Sequence, residues 1–179
     1  YSRDFMASNF TQKDFDKIMV LYQHLVQTSP LYQNMSQSQM NYVARIIGNT
    51  VHDLTKIWSG YISNEALRQM ISDNNDQKIT HDHYLSRLQS GKQIVQYFNN
   101  SNNISFDEFL NLIFEACYVH KITKSENSKL IQHQNTGTAW YTCYTNAKID
   151  LIYVGDEEGK LPKRLTKAYL KRFGHLIQD

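Results

Sequence analysis

The sequence predicts a mainly α-helical α+β domain, a helical chain that carries a small β element. Apolar side chains make up 41% of the 179 residues, enough to form a core. Seven glycines and two prolines are too few for an all-β sandwich, which needs turn residues about every 8–12 positions. We therefore predict one domain over 1–179, with a helical part (1–79), a central ββα-like part (80–135) and a C-terminal part (136–179).

The N-terminal part predicts three helices. Apolar residues at helical spacing indicate the first over residues 12–27, and Ser29-Pro30 is expected to end it. A second helix begins near Ser38 and carries one apolar stripe as far as residue 57, with a bend or break expected at Gly48-Asn49. A short third helix starts at Ser63, and a polar loop follows over 72–78.

The central part predicts a helix within 81–98 that begins after the histidines, followed by a loop over 99–103. The pattern Ser-x-x-Glu at Ser105 predicts a capping box that starts the next helix. Residues 117–122 have the alternation of a strand, and a second capping box at Thr123-x-x-Glu126 places a helix directly after it.

The C-terminal part has a different composition. Residues 138–145 are aromatic and β-prone, and residues 148–154 alternate as a strand that ends at Gly155. The stretch from Gly159 to Gln178 contains no acidic residue and has an apolar helical face. It predicts a basic C-terminal helix.

Several classes of protein are excluded by composition. No run approaches 18 apolar residues, so no membrane span is predicted, and no secretory signal is visible at the start. We therefore expect a cytoplasmic protein with no membrane partner. Two cysteines, Cys117 and Cys143, cannot form a disulfide framework or a four-cysteine zinc site. The formal charge of +2 indicates no partner by itself.

Asp82 and His83 form an Asp-His pair. Further along the chain come a predicted strand (117–123) and a capped helix (124–135). A carboxylate can bind a divalent cation, and the neighbouring histidine, on the other side of an extended backbone, can take a proton from water. Residues 80–135 resemble the core of the HNH, or ββα-metal, endonucleases of the phage-borne or homing type. His83 and Asn127 are 44 positions apart, so at least one helix must be inserted between the two strands.

The resemblance implies a metal-dependent endonuclease that hydrolyses phosphodiester bonds in DNA. His83 would be the general base, Arg87 would contact the scissile phosphate, and Mg²⁺ or another divalent cation would be held by Asp82, Asn127 and His133. The alternative for Asp82-His83 is a polar helix start, with Asp82 as the cap and the histidines solvated. The zinc-binding cysteine pairs of many members are absent.

The basic C-terminal stretch predicts a DNA-binding surface. On one helix, Lys163, Lys167 and Lys171 would lie at i, i+4 and i+8 and form a ridge that follows phosphates. The remaining members of this set are Lys160, Arg164 and Arg172. The alternative is an ordinary solvated helix face. For the whole chain, the alternative to an endonuclease is a helical nucleic-acid-binding or protein-interaction module without catalysis; the sequence does not predict an oligomeric state.

Overall fold

The computed structural model describes residues 9–72, 78–101, 105–134, 138–156, 160–162 and 165–177. Of these, 62% are helical, and one four-stranded sheet accompanies the helices, which confirms the mainly α, α+β class. The helices are α1 (Gln12–Tyr32), α2 (Gln37–His52), α3 (Asn64–Ser72), α4 (Arg87–Asn100), α5 (Phe106–Ala116), α6 (Lys124–Ile131), α7 (Trp140–Ala147) and α8 (Lys167–Lys171). The strands are β1 (Ile57–Ser63), β2 (Ile79–His83), β3 (Tyr118–Thr123) and β4 (Leu151–Tyr153).

The chain divides into two compact units that alternate along the sequence. The first unit comprises Tyr1–Ile57 and His83–Tyr118, and the second comprises Trp58–Asp82 and Val119–Asp179. These boundaries differ from the predicted division into 1–79, 80–135 and 136–179. None of the helices in the described part of the chain is both long and apolar enough to span a membrane.

In the first unit, helices α1, α2, α4 and α5 enclose one apolar core. Helices α2 and α4 approach each other closely at two glycines. A Cβ built on Gly48 would lie 1.8 Å from the carbonyl oxygen of Arg87, and one on Gly91 would lie 1.7 Å from that of Ala44. Gly48 therefore allows close helix packing and does not break α2, which continues without interruption to His52. The expected break is wrong.

Helix α1 continues through Pro30 to Tyr32, so the prediction that Ser29-Pro30 ends it is wrong. A proline in a helix has no N–H and leaves the carbonyl four residues earlier without its usual donor. Here that carbonyl belongs to Val26, and the hydroxyl of Ser29 donates to it at 3.4 Å. The helix thus tolerates proline in its last turn.

The second unit is built around the sheet, whose strand order is β2-β3-β1-β4. β1 and β4 are antiparallel, with Tyr61 opposite Tyr153. β2 and β3 are antiparallel too, because backbone hydrogen bonds join Lys124 N to Lys78 O and Tyr84 N to Tyr118 O. This register places His120 opposite Asp82 and Lys121 opposite His81.

Each face of the sheet is covered by helices of the same unit. Ile122 of β3 packs with Leu130 of α6 and with Cys143 and Tyr144 of α7. On the other face, Ile62 of β1 packs with apolar residues of α3 and α8. Since side chains alternate along a strand, neighbouring residues of β2 and β3 point to different faces.

Two further elements differ from the sequence predictions. The predicted second helix extends to residue 57 and the third begins at Ser63, whereas the structure forms strand β1 over Ile57–Ser63. Residues 138–145 are predicted to be β-prone. Residues 140–147 instead form α7, because a helical turn brings Cys143, Tyr144 and Ala147 onto one apolar cluster. Packing in the folded chain therefore outweighs the β propensity of this segment.

The predicted basic helix over 159–178 is wrong in extent. Helix α8 covers only Lys167–Lys171, and a 3-10 turn over Gly174–Leu176 follows. Thr166 caps α8, since its hydroxyl accepts from the N–H of Tyr169 at 3.2 Å. Pro162 disfavours helix at the residue before it, which is consistent with the non-helical backbone of 160–162.

Candidate functional site

Asp82 and His83 close strand β2 and do not begin a helix. The helix that follows starts at Arg87, and its cap is Ser86, whose hydroxyl accepts from Gln89 N at 3.3 Å. Asp82 is only 8% exposed. The alternative reading, in which Asp82 caps a helix and is solvated with its neighbours, is therefore wrong for Asp82.

The carboxyl group of Asp82 is held by two side chains of the second unit. The phenol of Tyr144 in α7 donates to Oδ2 at 2.7 Å, and the amide of Gln134, just after α6, donates to Oδ1 at 3.2 Å. Burial raises the pKa of Asp82, and these two hydrogen bonds oppose that rise. Burial and the neighbouring carboxylate raise the pKa of the Tyr144 phenol, which therefore stays protonated as a donor.

His120 lies opposite Asp82 and is 1% exposed. Its Nδ1 is 2.8 Å from the hydroxyl of Ser59, which itself donates to the carbonyl of Val119 at 2.9 Å. The imidazole is enclosed by the rings of Tyr61, Trp140 and Tyr144, and burial lowers the pKa of His120 to about 4. It is therefore neutral at pH 7.

We call Asp82, Gln134, Tyr144, His120 and Ser59 the Asp82 cluster. Sequence reasoning identified Asp82 but neither Gln134 nor Tyr144, since Tyr144 is 62 positions away. The alternation of β3 was the available signal for His120. Three neighbouring strands thus bring an acid, a histidine and a serine to one face of the sheet.

The predicted metal ligands can be tested against this geometry. Asn127 is in the first turn of α6, whereas Gln134, the residue that reaches Asp82, follows the C-terminal end of that helix. The backbone carbonyl of His133 accepts from the thiol of Cys143 at 3.3 Å. Within the described ranges, no three His, Cys, Asp or Glu side chains are grouped to hold an ion.

Two features of the Asp82 carboxyl oppose the binding of a divalent cation. Each of its oxygens already accepts a hydrogen bond from the protein, and burial favours its neutral form, whereas a cation needs the carboxylate. Coordination of one ion by Asp82, Asn127 and His133 stays a prediction, and no chemical step is derived through it.

His83 belongs to the first unit, where its ring stacks on that of His52 with centroids 3.8 Å apart. Burial lowers the pKa of His52, and together with the charges of Arg87, Lys56 and protonated His83 it brings that pKa to about 3. His52 is therefore neutral at pH 7. Arg87 is exposed and donates to Asn49 Oδ1 at 3.5 Å. The structure thus places His83 and Arg87 around His52.

The basic C-terminal residues are only partly described. Lys160, Lys171 and Arg172 are exposed, and Lys167 is half-buried at the start of α8. The guanidinium of Arg172 lies over the ring of Tyr169, 5.4 Å from its centroid. The other two residues of the predicted ridge, Lys163 and Arg164, lie outside the described residues. The i, i+4, i+8 ridge does not form as predicted because α8 begins at Lys167.

Comparisons of the chain with protein-family models, with curated proteins and with solved structures gave no match.

Proposed function

We propose that the protein is a DNA endonuclease of the ββα type, with Asp82 and His83 at its centre. One observation supports this more than any other. β2 and β3 are antiparallel neighbours, and α6 begins immediately after β3 at a capping box formed by Thr123 and Glu126. This is the strand, strand and helix order that the resemblance requires. The insertion of α4 and α5 in the sequence does not prevent the two strands from pairing.

In this proposal His83 takes the proton from the attacking water. A general base must be neutral before the reaction, so a positive charge in contact with it would weaken it. The neighbouring ring of His52 is kept neutral by burial, and it adds no such charge. The exposed guanidinium of Arg87 is the available group for a phosphate oxygen. Dependence on Mg²⁺ or another divalent cation is part of the proposal and is tested separately below.

A second candidate is a nucleic-acid-binding or protein-interaction module without catalysis. The observation in its favour is that both oxygens of Asp82 are already bonded to Tyr144 and Gln134. In this reading the Asp82 cluster stabilises the second unit, and the His52–His83 stack stabilises the first.

A plasmid-nicking assay separates the two candidates. Supercoiled DNA is incubated with the full chain in Mg²⁺, in Mn²⁺ and in a chelator, and the nicked and linear products are measured. The endonuclease proposal predicts metal-dependent nicking. His83→Ala is expected to reduce its rate by at least about 100-fold, the usual contribution of a general base. Asp82→Asn is expected to reduce it similarly while keeping the size of the side chain.

His24→Ala is the matched control, because His24 is an exposed histidine on α1. Its nicking rate should equal that of the unaltered protein, and circular dichroism should show all variants folded. DNA binding without nicking under every metal condition would instead support the module. Nicking that persists in both His83→Ala and Asp82→Asn would contradict the proposed site.

A further inference from the structure

The face of β2 and β3 opposite the Asp82 cluster carries a second group of polar side chains. Lys121 and His81 are directly opposite each other, and the ammonium of Lys121 donates to His81 Nε2 at 3.0 Å. The same ammonium is 5.6 Å from the centroid of the Trp58 ring. The indole N–H donates to the carbonyl of Tyr61 at 3.0 Å, which fixes the ring. The three side chains therefore form a defined arrangement of cation, imidazole and aromatic ring.

Lys121 is half-buried and lacks a counter-charge among the residues that the structure describes. Its ammonium contacts an imidazole nitrogen and an aromatic face, neither of which carries a formal negative charge. Burial lowers the pKa of Lys121, so the ammonium is held at a cost that an anion beside it would reduce. An ammonium has three N–H donors, and His81 uses one of them. Two donors remain for a ligand.

The surroundings are basic and accessible. His81 is exposed, and β2 is an edge strand of the sheet. Lys78 lies three residues before His81, and Lys124 lies three residues after Lys121. Both lysines are exposed, and the N–H of Lys124 donates to the carbonyl of Lys78 at 3.0 Å. Residues 78–81 and 119–125 contain no acidic residue. Asp82 follows in sequence, but its carboxyl is bonded to Tyr144 and Gln134 on the other face.

We propose that Lys121, supported by His81 and Trp58, binds a phosphate group, supplied either by a free phosphate or nucleotide or by a nucleic-acid backbone. Lysine suits this ligand because its compact charge and rotatable donors fit phosphate oxygens. The site is separate from Asp82 and does not depend on the proposed cleavage reaction.

Isothermal titration calorimetry of the full chain without metal tests this site. The probes are inorganic phosphate, a 5′-mononucleotide and a short DNA duplex, all titrated at the same ionic strength, and the duplex titration is repeated at several salt concentrations. Lys121→Gln is expected to weaken binding of the effective probe about tenfold, the loss that accompanies one charged hydrogen bond. Lys129→Gln is the matched control, since Lys129 is exposed on α6, and its affinity should equal that of the unaltered chain. His83→Ala should bind normally even if it abolishes nicking.

The outcomes distinguish the sources of phosphate. Binding of phosphate and mononucleotide that is lost in Lys121→Gln indicates a small ligand. Binding of the duplex alone indicates a nucleic-acid backbone. In that case the slope of the logarithm of the binding constant against the logarithm of the salt concentration should become shallower by about one unit in Lys121→Gln. If Lys121→Gln does not fold, His81→Gln should still weaken binding about threefold. Absence of saturable binding at millimolar concentrations, or equal affinity in Lys121→Gln and Lys129→Gln, would overturn the proposal.

Discussion

Replacing Tyr144 by phenylalanine removes the phenol that donates to Asp82 at 2.7 Å and leaves the ring in place. Both residues are buried, at 4% and 8% exposure. A hydrogen bond to a charged group contributes about 1.5–3 kcal/mol, and one between neutral groups about 1 kcal/mol. Since the folded pKa of Asp82 lies above its unfolded value, the folded protein takes up a proton first as the pH falls. The loss should therefore be about 1.5–3 kcal/mol near pH 8 and about 1 kcal/mol near pH 4.

Urea unfolding followed by circular dichroism at both pH values measures this difference. Tyr141→Phe is the matched control, because Tyr141 lies on the same helix and is 61% exposed, so its free energy of unfolding should change by less than about 0.5 kcal/mol. An equal loss for Tyr144→Phe at both pH values would refute a phenol–carboxylate bond. No loss at either pH would refute the buried cluster itself.

Two further predictions concern Gly91 and Asp14, which belong to the first unit. Gly91→Ala should lower the free energy of unfolding, measured in urea titrations, by at least about 2 kcal/mol, because the new Cβ would lie 1.7 Å from the carbonyl oxygen of Ala44. Gly174→Ala is the control. Its Cβ would have no atom closer than 3.8 Å, so the free energy of unfolding should change by less than about 0.5 kcal/mol. Burial raises the pKa of Asp14, but hydrogen bonds from threonines outweigh burial and bring this pKa from 3.8 down to about 2. The lowered pKa should contribute about 2 kcal/mol of stability above pH 4, and this contribution should be lost as the pH falls to 2. Measurements of the free energy of unfolding between pH 4 and pH 2 should show this loss in the unaltered protein and in Asp16→Asn, a change at an exposed position, but not in Asp14→Asn. The same pH dependence in the unaltered protein and both variants would contradict the prediction.

Local chemistry in the sequence predicted some of the fold well. Both hydrogen bonds of the capping box at Thr123 and Glu126 form, and α6 begins at the residue that this box predicts. At Ser105 only half of the predicted box forms: its hydroxyl accepts from Glu108 N at 3.4 Å, while the Glu108 carboxylate accepts from the phenol of Tyr97 at 2.7 Å. A cap joins residues three positions apart, so a short stretch of sequence can predict where such a helix begins.

Strand β1 and the partners of Asp82 depend on contacts between residues that are far apart in the sequence. Strand β1 pairs with residues about 90 positions away, such as Tyr61 with Tyr153, and its own residues carry no clear alternation. The partners of Asp82 are 52 and 62 positions distant. For the candidate site, the sequence therefore identified Asp82 and His83 at the end of a strand, but not the side chains that surround them.

The most direct test of the proposed function is the rate of Mg²⁺-dependent plasmid nicking by the full chain and by His83→Ala. The endonuclease proposal predicts nicking by the unaltered protein and a reduction of at least about 100-fold in the variant, with His24→Ala unchanged. Equal nicking by His83→Ala, or DNA binding by the unaltered protein without any nicking, would contradict it.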